Sequence, residues 1–153
     1  IMICGTNGAH LSSYSLVDIA SHGRACGIMN IYYTVFFASA IEEKIRLFGN
    51  LLKEKGFITS DLTKLGGKEL GIEIAKGMIQ FYKSINFPTK LSDLPGFKDQ
   101  YIERTLQAAK DPQLEMKLKS LPVQLNAFQV DEYMKPILEA AKTGNFDLIK
   151  MKE

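Results

Sequence analysis

Between Arg24 and Glu42 the chain carries no charged residue, reading Ala25-Cys-Gly-Ile-Met-Asn-Ile-Tyr-Tyr-Thr-Val-Phe-Phe-Ala-Ser-Ala-Ile41. A helix that is apolar on every side has to be covered on every side, by lipid or by the rest of the protein. A membrane span wants about twenty predominantly apolar residues. This run is shorter and is interrupted by Asn30, Thr34 and Ser39. The expectation is therefore a buried central helix, no membrane partner, and a fold in which everything else packs around that helix. The Tyr32-Tyr33 and Phe36-Phe37 pairs read as core within it.

The covering segments follow the helical period of 3.6. Ser39-Ala-Ile-Glu42 has the form of a capping box, with the Ser hydroxyl accepting from the N–H three residues on and the Glu reaching back. Behind it Ile41, Ile45, Phe48, Leu51 and Leu52 share one face, and Gly56 ends the helix. Leu70, Ile74, Met78, Phe81 and Ile85 mark a second amphipathic helix, ended by Asn86-Phe-Pro88. Gly71 and Gly77 inside it are close-packing points or marks of marginal local stability. Pro88 to Pro95 reads as an irregular connection, followed by a helix from about Lys98 to Lys110 with Ile102, Leu106 and Ala109 inward. Asp111-Pro112 ends that helix. Gln113 to Lys119 forms a short helix broken by Leu121-Pro122. Asn126-Ala-Phe-Gln129 caps a last pattern of Val130, Tyr133, Met134, Ile137, Leu138 and Ala141, in which Pro136 kinks the helix or resets its start and Gly144 closes it. No alternating strand pattern, βαβ unit or repeat occurs. The fold class is all-α, a helical bundle over residues 1–153, of a length that suits one hydrophobic core.

Composition narrows the partners. The 19 basic and 17 acidic residues are interspersed, with no basic run and no aromatic–basic interleaving, which argues against nucleic acid. Cys4 and Cys26 make no disulfide framework, so a reduced, cytoplasmic compartment is expected. Ile1-Met2 is not followed by a basic region and a cleavable apolar stretch, so no secretory signal is expected.

Chemistry concentrates in the first thirty residues. They hold both histidines of the chain, His10 and His22, each behind a small residue, in an otherwise His-free sequence. Neutral imidazoles are common ligands of first-row metals. Two histidines supply half of a site that normally needs three or four donors. Cys4 and Cys26 are further candidates for a His/Cys site, although a thiol in an apolar helix such as Cys26's is expected to be buried and inert. Asp18, between the histidines, either orients an imidazole or is an ordinary surface carboxylate; the second is the expectation. Ser12, Ser13 and Ser21 lack the glycine-flanked elbow of a hydrolase nucleophile.

Gly5-Thr-Asn-Gly-Ala-His10, Ser15-Leu-Val-Asp18 and Ser21-His-Gly-Arg-Ala-Cys-Gly-Ile-Met-Asn30 together resemble the C-terminal helical domain of the iron-containing (group III) alcohol dehydrogenases, a dehydroquinate-synthase-like domain. Phe87-Pro-Thr-Lys-Leu-Ser-Asp-Leu94 and Ile137-Leu-Glu-Ala-Ala141 fit the same family in order, so the resemblance spans nearly the whole chain. It implies that His22, in its His-Gly pair, and His10 are metal ligands. Tyr14 stands one helical turn beyond His10, where some members carry a second histidine, and the sequence departs from the family there.

The resemblance also implies an Fe(II) or Zn(II) cofactor that holds the alcohol oxygen, lowers its pKa and orients its carbon for hydride transfer to NAD(P). The family's other two ligands, an Asp and a His, and its dinucleotide-binding half precede the segment matched here. No Gly-x-Gly-x-x-Gly occurs, and Gly66-Gly67 and Gly71 do not follow a strand. The chain is thus expected to be a domain or fragment, inactive alone. A small alcohol or aldehyde would be the substrate of the intact enzyme, and a complementing nucleotide-binding chain or a homo-oligomer would cover apolar residues of its first helices. The alternative is a non-catalytic helical interaction module, or a decayed fragment that keeps the fold.

Overall fold

The computed structural model describes residues 8–152. Among them there is no strand, and seven α-helices carry the fold, joined by short 3-10 turns. They are α1 (Gly8–Ser13), α2 (His22–Phe37), α3 (Glu42–Glu54), α4 (Gly67–Ser84), α5 (Gln100–Ala109), α6 (Glu115–Lys119) and α7 (Lys135–Thr143). The fold class is all-α, as the periodicity predicts.

Residues 25–37 of the uncharged run lie in α2, and residues 38–41 follow as a 3-10 turn. Helices α1, α4 and α7 pack directly against α2. Ile28, Met29, Ile31, Tyr32, Val35 and Phe36 are all fully buried. The helical run His22–Glu54 contains a window of mean hydropathy 1.2, apolar enough by length and composition to cross a membrane, and more than half of that window lies inside the protein. Tyr32 donates its hydroxyl proton to the carbonyl of Thr89 at 2.8 Å, so even the polar tip of a core ring is satisfied. A buried phenolate has no such compensation, and burial, with Asp93 nearby, pushes the Tyr32 pKa well above its ordinary value.

Close approach of α4 to α2 explains Gly71. A Cβ there would stand 2.7 Å from the Cβ of Ala38 and 3.0 Å from the Cα of Val35, and the second of these is backbone that cannot move aside. Gly77 is likewise pressed by Ile58 and Leu52. Both glycines are therefore close-packing points.

Several local expectations hold. Asn126 accepts from the N–H groups of Phe128 and Gln129 at 3.0 and 3.2 Å. Gly144, at φ +82°, ends α7 in the left-handed region that glycine tolerates. Pro136 marks a change of helix type: residues 130–134 are π-helical and lead directly into α7 at Lys135, and the proline one residue on cannot donate the backbone bond of a regular α-turn. The Pro88–Pro95 connection contains a 3-10 turn, Leu91–Asp93. The helix expected from Lys98 starts at Gln100, and the segment from Gln113 divides into a 3-10 turn and α6.

Two expectations fail. The Ser39–Glu42 capping box does not form, and residues 38–41 make a 3-10 turn with no side-chain cap on α3. Glu42 instead reaches across the fold. Its carboxylate accepts from the backbone N–H of Gly67 at 3.1 Å and from Arg46 at 2.6 Å, satisfying an otherwise orphaned donor at the start of α4. The second failure is the inward face of α3 and α4. Ile45, Leu52, Leu70, Ile74 and Met78 are buried, but Phe48, Leu51, Phe81 and Ile85 are exposed. These four side chains lie on the parts of α3 and α4 that no neighbouring element among the described residues covers. There Phe48, Leu51 and Phe81 line a shallow apolar groove with Phe57.

Glu42 makes a pH-dependent contribution to stability. The Gly67 N–H and the Arg46 guanidinium hold its carboxyl below the usual glutamate range. A carboxyl whose pKa is depressed in the folded state stabilises it above the unfolded value, about 4.3, and that stabilisation fades as pH falls through the folded value. Glu42→Gln is expected to lower the urea midpoint at pH 6, with a deficit that shrinks as the pH is taken down through the folded-state value. A deficit that stays the same over that range would show that the carboxylate charge is not what caps α4.

Candidate metal centre

Helix α1 and the first turn of α2 bring the two histidines together. Gly8 lets α1 close on α2, because a Cβ there would overlap the ring of Tyr33. The Ser12 hydroxyl lies 3.1 Å from the Tyr33 hydroxyl in the buried seam between them. Twelve residues apart in sequence, the rings of His10 and His22 meet edge to face with centroids 4.5 Å apart.

Cys26 joins them. It lies one turn beyond His22 on α2, and its Sγ is 3.6 Å from His22 Nε2. One donor atom from each of His10, His22 and Cys26 lies within 4.8 Å of the other two. His22 is exposed, and the other two are half-buried. Sequence reasoning expected an inert buried thiol; the i, i+4 spacing from His22 was the available signal, since such residues share a helix face. Cys4 lies outside the described residues.

The surrounding polar groups orient the rings. The single hydroxyl proton of Ser13 goes to the carbonyl of His10 at 2.7 Å. With that proton on the His10 carbonyl, the same oxygen, 2.9 Å from His22 Nδ1, accepts from an Nδ1–H, the tautomer that leaves the lone pair on Nε2. On the other side, the Tyr14 hydroxyl is 2.9 Å from His10 Nε2, and the Lys117 ammonium sits 5.2 Å above the Tyr14 ring. Burial first, then the neighbouring His22 and Lys117, lowers the pKa of His10 and favours the neutral imidazole that a metal requires.

Asp18 takes no part: it pairs with Arg104 on the surface. What the fold and the cluster define is an all-α domain with a solvent-facing His/His/Cys constellation, a donor set that fits a divalent first-row metal. Comparison with protein-family models, with curated proteins and with solved structures finds no match to this chain.

Proposed function

We propose that this chain is the metal-holding helical domain of an NAD(P)-linked alcohol dehydrogenase of the iron-containing type, with His10 and His22 as ligands. The observation that carries the reading is the convergence of the only two imidazoles of the chain on one solvent-facing spot. A divalent Fe or Zn ion held by His10 and His22 would supply Lewis acidity toward an alcohol oxygen.

Ser13 hydrogen-bonds to His22 Nδ1 and Tyr14 to His10 Nε2, and these contacts would orient the two rings toward the ion. His22 is exposed, so solvent reaches the side of the cluster where a small alcohol or aldehyde would bind. The dinucleotide-binding half, a cytoplasmic setting and a complementing chain or second copy belong to the same proposal. The alternative of a non-catalytic interaction module draws on the exposed apolar groove of Phe48, Leu51, Phe57 and Phe81.

The activity test is direct. Given metal, a primary alcohol and oxidised NAD(P), these 153 residues are expected to produce no reduced nicotinamide. Addition of a dinucleotide-binding domain of this enzyme class is expected to give metal-dependent reduction that His22→Ala loses. Reduction by the 153 residues alone, or unchanged reduction with His22→Ala, would contradict the proposal.

A further inference from the structure

We infer that Cys26 is a third ligand, so that His10, His22 and Cys26 together form a thiolate-containing site that selects zinc over iron and keeps one position open. The inference rests on the metal reading of His10 and His22 and deepens it.

Three observations carry it. The first is a distance. A tetrahedral zinc with a nitrogen donor at about 2.05 Å and a sulfur donor at about 2.3 Å sets those two atoms about 3.5 Å apart. His22 Nε2 and Cys26 Sγ already stand 3.6 Å apart. The second is the tautomer. With the Ser13 proton given to the His10 carbonyl, Ser13 accepts from His22 Nδ1–H, the tautomer that puts the lone pair on Nε2, the nitrogen nearer to Sγ. Bonding the far nitrogen of a ligating histidine to a fixed acceptor is how proteins orient such rings. The third is completeness, since His10, His22 and Cys26 each offer one donor atom within 4.8 Å of those of the other two.

Three protein donors with a vacant fourth position is the arrangement of catalytic zinc sites. His22 is the exposed member of the set, which leaves that position facing solvent. On binding, the thiol releases its proton to solvent and the thiolate becomes the ligand. Thiolate is a soft donor that suits zinc, and zinc also stands above Fe(II) in general affinity order. An all-imidazole pair would accept either ion, so the sulfur decides between them.

The test uses the full chain under anaerobic, reducing conditions with Co(II), Zn(II) and Fe(II) as probes. Cobalt reports thiolate ligation through an intense sulfur-to-metal charge-transfer band in the near-ultraviolet, separate from its visible ligand-field bands. The expected result is both sets of bands in the wild type, loss of the charge-transfer band in Cys26→Ser, and at least tenfold weaker zinc binding by that variant. Zinc is also expected to displace Fe(II) from the wild type. Cobalt ligand-field bands that depend on His10 and His22, without a charge-transfer band and with Cys26→Ser binding zinc as the wild type does, would overturn the role of Cys26 and leave the histidine site standing. No binding of any of the three ions would overturn both.

Discussion

Phe36→Ala is expected to lower the unfolding free energy by about 3–5 kcal/mol, the range for emptying a large aromatic site in a core. That is a large share of the roughly 5–15 kcal/mol that holds a typical domain together. Phe36 is fully buried on the central helix and packs beside the rings of Phe37 and Tyr133, with centroids 5.3 and 6.1 Å away. The cavity would open where α2 meets the last helical segment, with rigid neighbours on each side. Urea unfolding followed by circular dichroism measures the change. Leu47→Ala is the control, because Leu47 is 72% exposed and its truncation should shift stability by no more than about 0.5 kcal/mol. Similar losses in both variants would mean that α2 is not the core about which the chain folds.

His22→Ala should separate binding from folding. The imidazole is exposed at the start of α2, so its removal opens no cavity. A ligand that binds only the folded state stabilises it by about 2.7 kcal/mol when its concentration is a hundred times its Kd. In a domain of this size that corresponds to an upward shift in melting temperature of roughly 5–10 °C. Saturating Zn(II) is expected to produce such a shift in the wild type and none in His22→Ala, while the metal-free melting points of the two agree within about 2 °C. A metal-induced shift that survives the substitution would place the bound ion elsewhere.

The parts of this molecule legible in the sequence are those fixed by local rules. Seventeen uncharged residues admit little but a covered helix, and α2 holds residues 25–37 of them. Asn126 and Gly144 act within a few residues of themselves, so their roles as caps follow from spacing alone. Long-range competition was not legible. Ser39 and Glu42 satisfy a local capping pattern, but the Gly67 N–H, twenty-five residues away, offers Glu42 a partner that no local pattern contains. Phe48 and Phe81 keep the correct helical period and still lie outside the core, since periodicity gives the face of a helix and not whether another element covers every residue on it.

The candidate site divides in the same way. Residue type and isolation single out His10 and His22, and the seam between α1 and α2 brings them together. Apolar neighbours argued for an inert Cys26, yet a position one turn from His22 near the open end of α2 leaves its thiol half-buried among donors. Asp18, the other nearby candidate, turns to Arg104 instead.

The central claim is that His10 and His22 hold a metal, and an anaerobic calorimetric titration of the purified chain with Zn(II) and Fe(II), repeated on His10→Ala and His22→Ala, tests it most directly. One ion per chain in the wild type, with binding lost in both variants, is the predicted result. No binding, or binding that ignores both substitutions, would contradict it.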